Sequence, residues 1–386
     1  MAPKNASAKS TKGNKNNNNK KKANPPRRTD APRRSAEEDV EDASAKIPLQ
    51  LQQLLLNIFR DAFPSRFGSD LKPLLQEVKQ HLYNRDFLTA FGKDEYLEIY
   101  AVRWSPSRAL GYLQIFSHLE DQIFGSKELG KDEFGDRWKV SCLGGGAGAE
   151  IVALAGFLKL LTQKSISSEE DQTGREDKAT PEVAASVSVQ PRFEVSAIDI
   201  ANWSPIVDSL QTAITTTPSL SKYASAAAKE ANVELLQPEL LNTRSLQQDV
   251  LNMTADDLSA QLKDADMVTI MFTLNELYST SIARTQAFLL RLTGILRPES
   301  LLLVVDSPGS YSTVTLNGAE KQYPMHWLLD HTLLSSPKDA KSKDEGLKWE
   351  KVLADESRWF RLPDGLKYPI DLENMRYQIH LYRRLP

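Results

Sequence analysis

The residues best placed to do chemistry begin with Gly144-Gly145-Gly146-Ala147-Gly148, which follows the short run Trp138 to Leu143 and precedes the apolar segment Ile151 to Leu161. Strand, glycine turn and helix in that order form a phosphate- or cofactor-binding unit, because the backbone must turn sharply and approach a ligand without side chains in the way. Two cofactor classes fit: Gly144, Gly146 and Gly148 make the G-x-G-x-G of S-adenosylmethionine enzymes, and Gly144, Gly146 and Ala149 satisfy the dinucleotide form. A purely structural tight turn is the third reading. Asp199 ends the β-rich run Phe193 to Asp199, where a carboxylate accepts from ribose hydroxyls, and Leu246 to Leu251 reads as a third strand end with Asp249 placed to accept from an adenine amino group. Asn275 and Glu276 follow the apolar run Asp266 to Phe272.

These positions demand a doubly wound α/β sheet. Asp199 lies 51 residues after Gly148, but Gln163 to Arg192 is rich in Ser, Glu, Asp and Thr and reads as a disordered insertion, and without it the spacing is normal. A helix from Asn275 through Leu296, a break at Arg297-Pro298 and a strand Leu301 to Asp306 complete five βα steps. Trp349 to Ala354 and Tyr377 to Tyr382 alternate as a closing antiparallel hairpin. Upstream, Leu49, Leu51, Leu54, Leu55, Ile58, Phe59 and Phe63 recur at helical spacing, a second helix spans Leu71 to Leu88, and Tyr96 to Glu120 is helical with a break at Ser105-Pro106. There Ser105 or Ser107 reads as an N-cap, with phosphate contact by Arg103 and Arg108 the rival reading.

Residues 1–34 hold 11 Lys and Arg against one acid, a net of +10, while the rest of the chain carries −13. Val, Ile, Leu, Phe, Tyr and Trp are missing before Val40, so this arm has nothing with which to offset chain entropy and reads as disordered. Lys20-Lys21-Lys22, Arg27-Arg28 and Arg33-Arg34 suit RNA phosphates and equally an import receptor. The expected organisation is a basic arm over 1–46, a helical subdomain over 47–135 and a cofactor-binding domain over 136–386. Apolar runs are too short for a membrane span, no secretory h-region is present, and Cys142 alone makes neither a disulfide nor a cysteine zinc site. An intracellular protein without a structural metal is expected; no oligomeric state is assigned.

The chain resembles the class I S-adenosylmethionine-dependent methyltransferases through Gly144-x-Gly146-x-Gly148, Asp199, Asp249-Val250-Leu251, the polar turn after the fourth strand, Arg297-Pro298 and Leu301 to Asp306. Within that class it is similar to the fungal large-subunit ribosomal RNA uridine-N3 methyltransferases, through Cys142 to Glu150, Phe272-Thr273-Leu274-Asn275-Glu276-Leu277-Tyr278, Arg103 to Arg108 and Tyr323 to Asp330. The resemblance implies a Rossmann-like sheet with helices on both faces. Its cofactor set is Gly144, Gly145, Gly146, Gly148, Asp199, Asp249 and Phe272, with S-adenosylmethionine as donor and ribosomal RNA or a pre-ribosomal particle as partner, in nucleus, nucleolus or cytoplasm. One departure is Cys142, which stands where many such enzymes carry an acid, so a contact to the methionine amino group from that position is not implied.

Chemistry narrows the reaction. Methylation at pyrimidine C5 generally needs a cysteine nucleophile, and Cys142 sits inside the first strand. The Asn/Asp-Pro-Pro-aromatic loop of exocyclic-amine enzymes is replaced by Asn275-Glu276-Leu277-Tyr278. An endocyclic nitrogen remains. Uridine N3 must lose a proton, which makes Glu276 the candidate base and Asn275 the carbonyl donor, against the alternative that Glu276 only caps the following helix. Tyr311 after the fifth strand is a base-stacking or packing aromatic, and His326 and Trp327 read as packing. A nicotinamide dehydrogenase would need a Tyr-x-x-x-Lys or His constellation that is not evident, and a noncatalytic RNA-binding module of the same fold is the remaining rival.

Overall fold

The computed structural model describes residues 47–386 apart from 126–136, 174–190, 221, 231, 310, 317–318 and 335–347. A seven-stranded sheet has the order β3-β2-β1-β4-β5-β9-β8. Its members are β1 (Arg137–Leu143), β2 (Arg192–Asp199), β3 (Leu241–Gln247), β4 (Met267–Met271), β5 (Leu301–Asp306), β8 (Trp349–Phe360) and β9 (Met375–Arg384). The first five pair in parallel, and β9 pairs antiparallel with both β5 and β8. β4 and β5 are buried at every position, as apolar runs in the middle of a parallel sheet must be, whereas the edge strand β3 alternates in exposure. A separate hairpin joins β6 (Tyr311–Leu316) to β7 (Ala319–Pro324). The side chain of Tyr311 lies outside the described residues, as do the basic arm and most of the expected insertion.

Helices cover both faces. α1 (Leu49–Ala62), α4 (Asp94–His118), α6 (Ala149–Thr173) and α7 (Ser204–Thr215) place Leu55, Phe59, Leu113, Phe116, Leu154, Phe157 and Leu210 in one core with Val140 and Phe193 of the sheet. On the other face α9 (Ala255–Leu262), α10 (Leu274–Thr280), α11 (Ile282–Ile295) and α12 (Met325–Leu334) bury Leu258, Tyr278, Phe288 and Leu328 against Leu143, Ile270 and Leu302. The N-terminal helices thus share a core with the sheet. Shorter helices are α2 (Leu71–Tyr83), α3 (Phe87–Ala90), α5 (Glu120–Phe124) and α8 (Ala226–Glu230). Among the described residues no helix is long and apolar enough to cross a membrane, and no group of three His, Cys, Asp or Glu could hold a metal.

Four helix boundaries differ from the sequence expectation. Helix α4 runs through Pro106 without a break. Proline there removes the N–H that would reach Val102, and the Tyr368 hydroxyl donates to the Val102 carbonyl at 3.0 Å instead. Ser105 and Ser107 are therefore not caps: Ser105 Oγ donates to the Ala147 carbonyl at 2.7 Å, and Ser107 Oγ accepts from the Glu373 N–H at 3.0 Å. Arg103 pairs with Glu373 instead of standing free for phosphate. Second, α6 continues to Thr173, so the first part of the expected insertion is helical. Third, the helix after β4 is two helices, because Ser281 caps α11 by accepting from the Arg284 N–H. Finally, the second helix stops at Tyr83, and Arg85 takes a left-handed φ of 56°.

Candidate active site

The strand order reverses between β1 and β4, and a cavity of about 550 Å³ opens there at the carboxyl ends of the strands. Gly144 and Gly148 adopt φ of 77° and 80°, a left-handed backbone that favours glycine, and the Gly144 N–H donates to the Ile198 carbonyl at 2.8 Å. Gly144, Gly145 and Gly148 line the cavity. Gly146 does not: a Cβ there would collide with the Trp203 indole, so its smallness serves packing, while its N–H donates to Asp199 Oδ2 at 3.2 Å.

Asp199 lines the cavity from the end of β2, and its other oxygen accepts from the Ala201 N–H at 3.3 Å. Burial pushes its carboxyl upward, opposed by those N–H donors. Asp249 stands two residues beyond the end of β3, not in the strand. Its carboxylate turns the chain back on itself, taking the Leu251 N–H at 2.9 Å and the Asn252 side-chain amide at 2.6 Å, and it also faces the cavity. Phe272 is held at φ 56° with its N–H on the Val305 carbonyl at 2.7 Å, an unusual conformation for a bulky residue, and its ring forms part of the wall.

Glu276 enters from the first turn of α10. One carboxylate oxygen lies 3.5 Å from Arg85 Nη2, and the other is buried with no hydrogen-bond partner among the described residues. Asn275 does not line the cavity; its backbone N–H donates at 2.9 Å to Asp306, which also takes the Ser307 N–H at 2.7 Å. Burial lifts the Asp306 carboxyl to about 6, against these two donors.

Several cavity residues lie outside the site set expected from the sequence. Trp203 packs against Phe91 and Tyr100 at ring separations of 5.4 and 5.8 Å. Arg108 donates to the Tyr100 hydroxyl at 2.9 Å and lies 5.0 Å from the centre of the Phe272 ring. Glu150, in the first turn of α6, is buried behind Gly145 and accepts from the Thr269 hydroxyl. Burial raises it to about 7, opposed by Thr269 and the Cys142 thiol. Burial likewise pushes Cys142 upward, which leaves it a protonated core thiol and no nucleophile. The sequence hints at two of them, Arg108 in the run Arg103 to Arg108 and Glu150 six residues beyond Gly144, where the glycine turn becomes a helix.

A five-stranded parallel sheet with a switch-point cavity, a glycine turn after β1, an acid after β2 and an antiparallel hairpin closing past β5 is the class I methyltransferase architecture. The chain belongs to the SAM-dependent methyltransferase family whose model matches residues 59–383. It is 32% identical over 357 residues to the 25S rRNA (uridine(2843)-N(3))-methyltransferase of Saccharomyces cerevisiae, with 91% of this chain and 89% of the relative covered. Among solved structures it is similar to a SAM-dependent methyltransferase from Methanosarcina mazei, with TM-score 0.30, 10% identity and coverage of 65% of this chain and 94% of that one. Another is a methyltransferase from Clostridium acetobutylicum, with TM-score 0.28, 9% identity and coverage of 70% and 98%.

Proposed function

We propose that this methyltransferase transfers a methyl group from S-adenosylmethionine to N3 of an unpaired uridine in large-subunit ribosomal RNA. The cavity fits the cofactor: Gly144, Gly145 and Gly148 present backbone without side chains, Asp199 offers a carboxylate for the ribose, and Asp249 keeps acceptor capacity for an adenine amino group. Phe272 adds an aromatic ring to the cavity lining. When bound, S-adenosylmethionine supplies an electrophilic methyl group.

The observation that carries the reaction assignment is the buried, unpartnered oxygen of Glu276 in a cavity that also has a cofactor side. An acceptor left open there suits the N3 proton, which must leave before or as the methyl arrives. Asn275 is set back from the cavity lining, and its backbone N–H on Asp306 holds the turn that carries Glu276. At the cavity mouth Tyr83 is 85% exposed beside Arg85, an aromatic and a cation suited to RNA. N3 lies on the Watson–Crick edge, so the target uridine must be unpaired or splayed. The activity of the yeast relative supports the same choice of atom.

The direct test is methylation, by the purified protein, of ribosomal RNA from cells lacking the enzyme, followed by nucleoside mass analysis. Formation of 3-methyluridine is expected; a methyl group on ribose or on C5 overturns the assignment, and no transfer to any RNA favours a binding module. The +10 charge of residues 1–34 supports phosphate contact, with recognition by an import receptor as its second use. Deleting those residues should lower the dependence of RNA affinity on salt while leaving cofactor affinity intact; an unchanged slope removes the RNA role, and unchanged localisation removes the import role.

A further inference from the structure

Two cavity residues of opposite charge type make no ion pair. Arg108 is permanently cationic, and its guanidinium donates to the neutral Tyr100 hydroxyl. Glu150 is 2% exposed, with the Thr269 hydroxyl as donor. Neither forms an ion pair with any described residue, the other included. Burying a charge without a counter-charge in contact is costly, and here two ionisable groups of opposite sign line one cavity without touching. A ligand carrying both signs would satisfy both.

Their placement says which part of the ligand that is. Ser105 pins α4 to the glycine turn through the Ala147 carbonyl, and Arg108 follows three residues later on the same helix face. Glu150 lies against the other side of that turn, where a Cβ on Gly145 would strike its carboxylate. Uracil carries no cation for Glu150, and the pyrophosphate of a dinucleotide would be repelled by it. We infer that Arg108 and Glu150 form a cradle for the zwitterionic amino-acid end of S-adenosylmethionine, the guanidinium taking the α-carboxylate and Glu150 the α-ammonium. Glu150, in the first helix turn after the glycines, thereby replaces the acid missing at Cys142, and the N-terminal helical block becomes part of the cofactor site. This deepens the proposed function and rests on it.

Glu150 faces Thr269 on β4, Cys142 on β1, Asp199 at the end of β2 and Arg108 on α4. With its carboxyl near 7, it is partly protonated at neutral pH in the free protein. An arriving ammonium favours the ionised form, so binding should release a proton to the buffer.

Calorimetry with two ligands tests the cradle: S-adenosylhomocysteine, which has the amino-acid end, and 5′-methylthioadenosine, which shares the nucleoside and lacks it. Arg108→Met and Glu150→Gln should each weaken S-adenosylhomocysteine at least about tenfold and leave 5′-methylthioadenosine unchanged. In buffers of different ionisation enthalpy at pH 7, the wild-type protein should release protons with the first ligand and none with the second, and Glu150→Gln should abolish the release. If Glu150→Gln does not fold, Arg108→Met and the wild-type proton count decide. Wild-type affinity in Arg108→Met, an equal loss for both ligands, or identical proton counts overturns the cradle. A wild-type protein that binds neither nucleoside overturns the cofactor reading itself, which is a different result.

Discussion

The two halves of the cavity are built to different degrees of completion. Along β1, β2 and β3 the glycine turn and the two aspartates are already hydrogen-bonded: Asp199 holds the Gly146 and Ala201 N–H groups, and Asp249 holds Leu251 and Asn252. Along β4 and β5 the backbone is fixed by Phe272 and Asp306, yet Glu276 keeps one buried oxygen without a partner. A binding surface gains from being set before its ligand arrives, since ordering costs are then already met. A reacting acid or base must keep an open valence for a proton. The contrast separates affinity from turnover, and it can be broken from either side.

The largest effect is expected at the open side. Glu276→Gln preserves shape and should lower turnover by about 10² to 10⁴ while leaving S-adenosylhomocysteine affinity unchanged. Wild-type rates across the pH range in single-turnover assays would assign Glu276 to the helix start alone. On the closed side Asp199→Ala should cost about 1.5–3 kcal/mol of cofactor affinity, read by calorimetry, with the rate at saturating cofactor largely kept. A fall in that saturated rate as large as the one from Glu276→Gln would erase the division between the halves.

Gly146 sharpens the comparison further. Because its missing Cβ leaves room for Trp203, Gly146→Ala should act first on folding, by about 1–3 kcal/mol in denaturant unfolding, and on the cofactor only through displacement of the turn. Full stability with lost binding would put the cofactor, not the indole, against Gly146. The smallest effect is expected outside both halves, where Tyr368→Phe deprives the Val102 carbonyl of its donor beside Pro106. About 1 kcal/mol of stability should be lost, with cofactor affinity intact, because α4 is also held at Ser105, Ser107 and Arg103.

What the sequence by itself determined is local. The glycine turn after β1, the acid at the end of β2 and the apolar run of β5 announce themselves within a few residues, because a left-handed backbone favours glycine and a buried parallel strand requires a run of apolar side chains. Pro106 misled for the same reason. Local rules break a helix at proline, whereas here a tyrosine 262 residues further along the chain donates to the carbonyl that Pro106 leaves open. The use of Gly146 could not be read either, since Trp203 reaches it from the start of α7. Nor could Arg108 and Glu150 be matched, one on an N-terminal helix and the other beyond β1. Their meeting depends on how α4 packs across the sheet. Tertiary structure decided these points because burial and charge complementarity act through space between segments that carry no mark of each other.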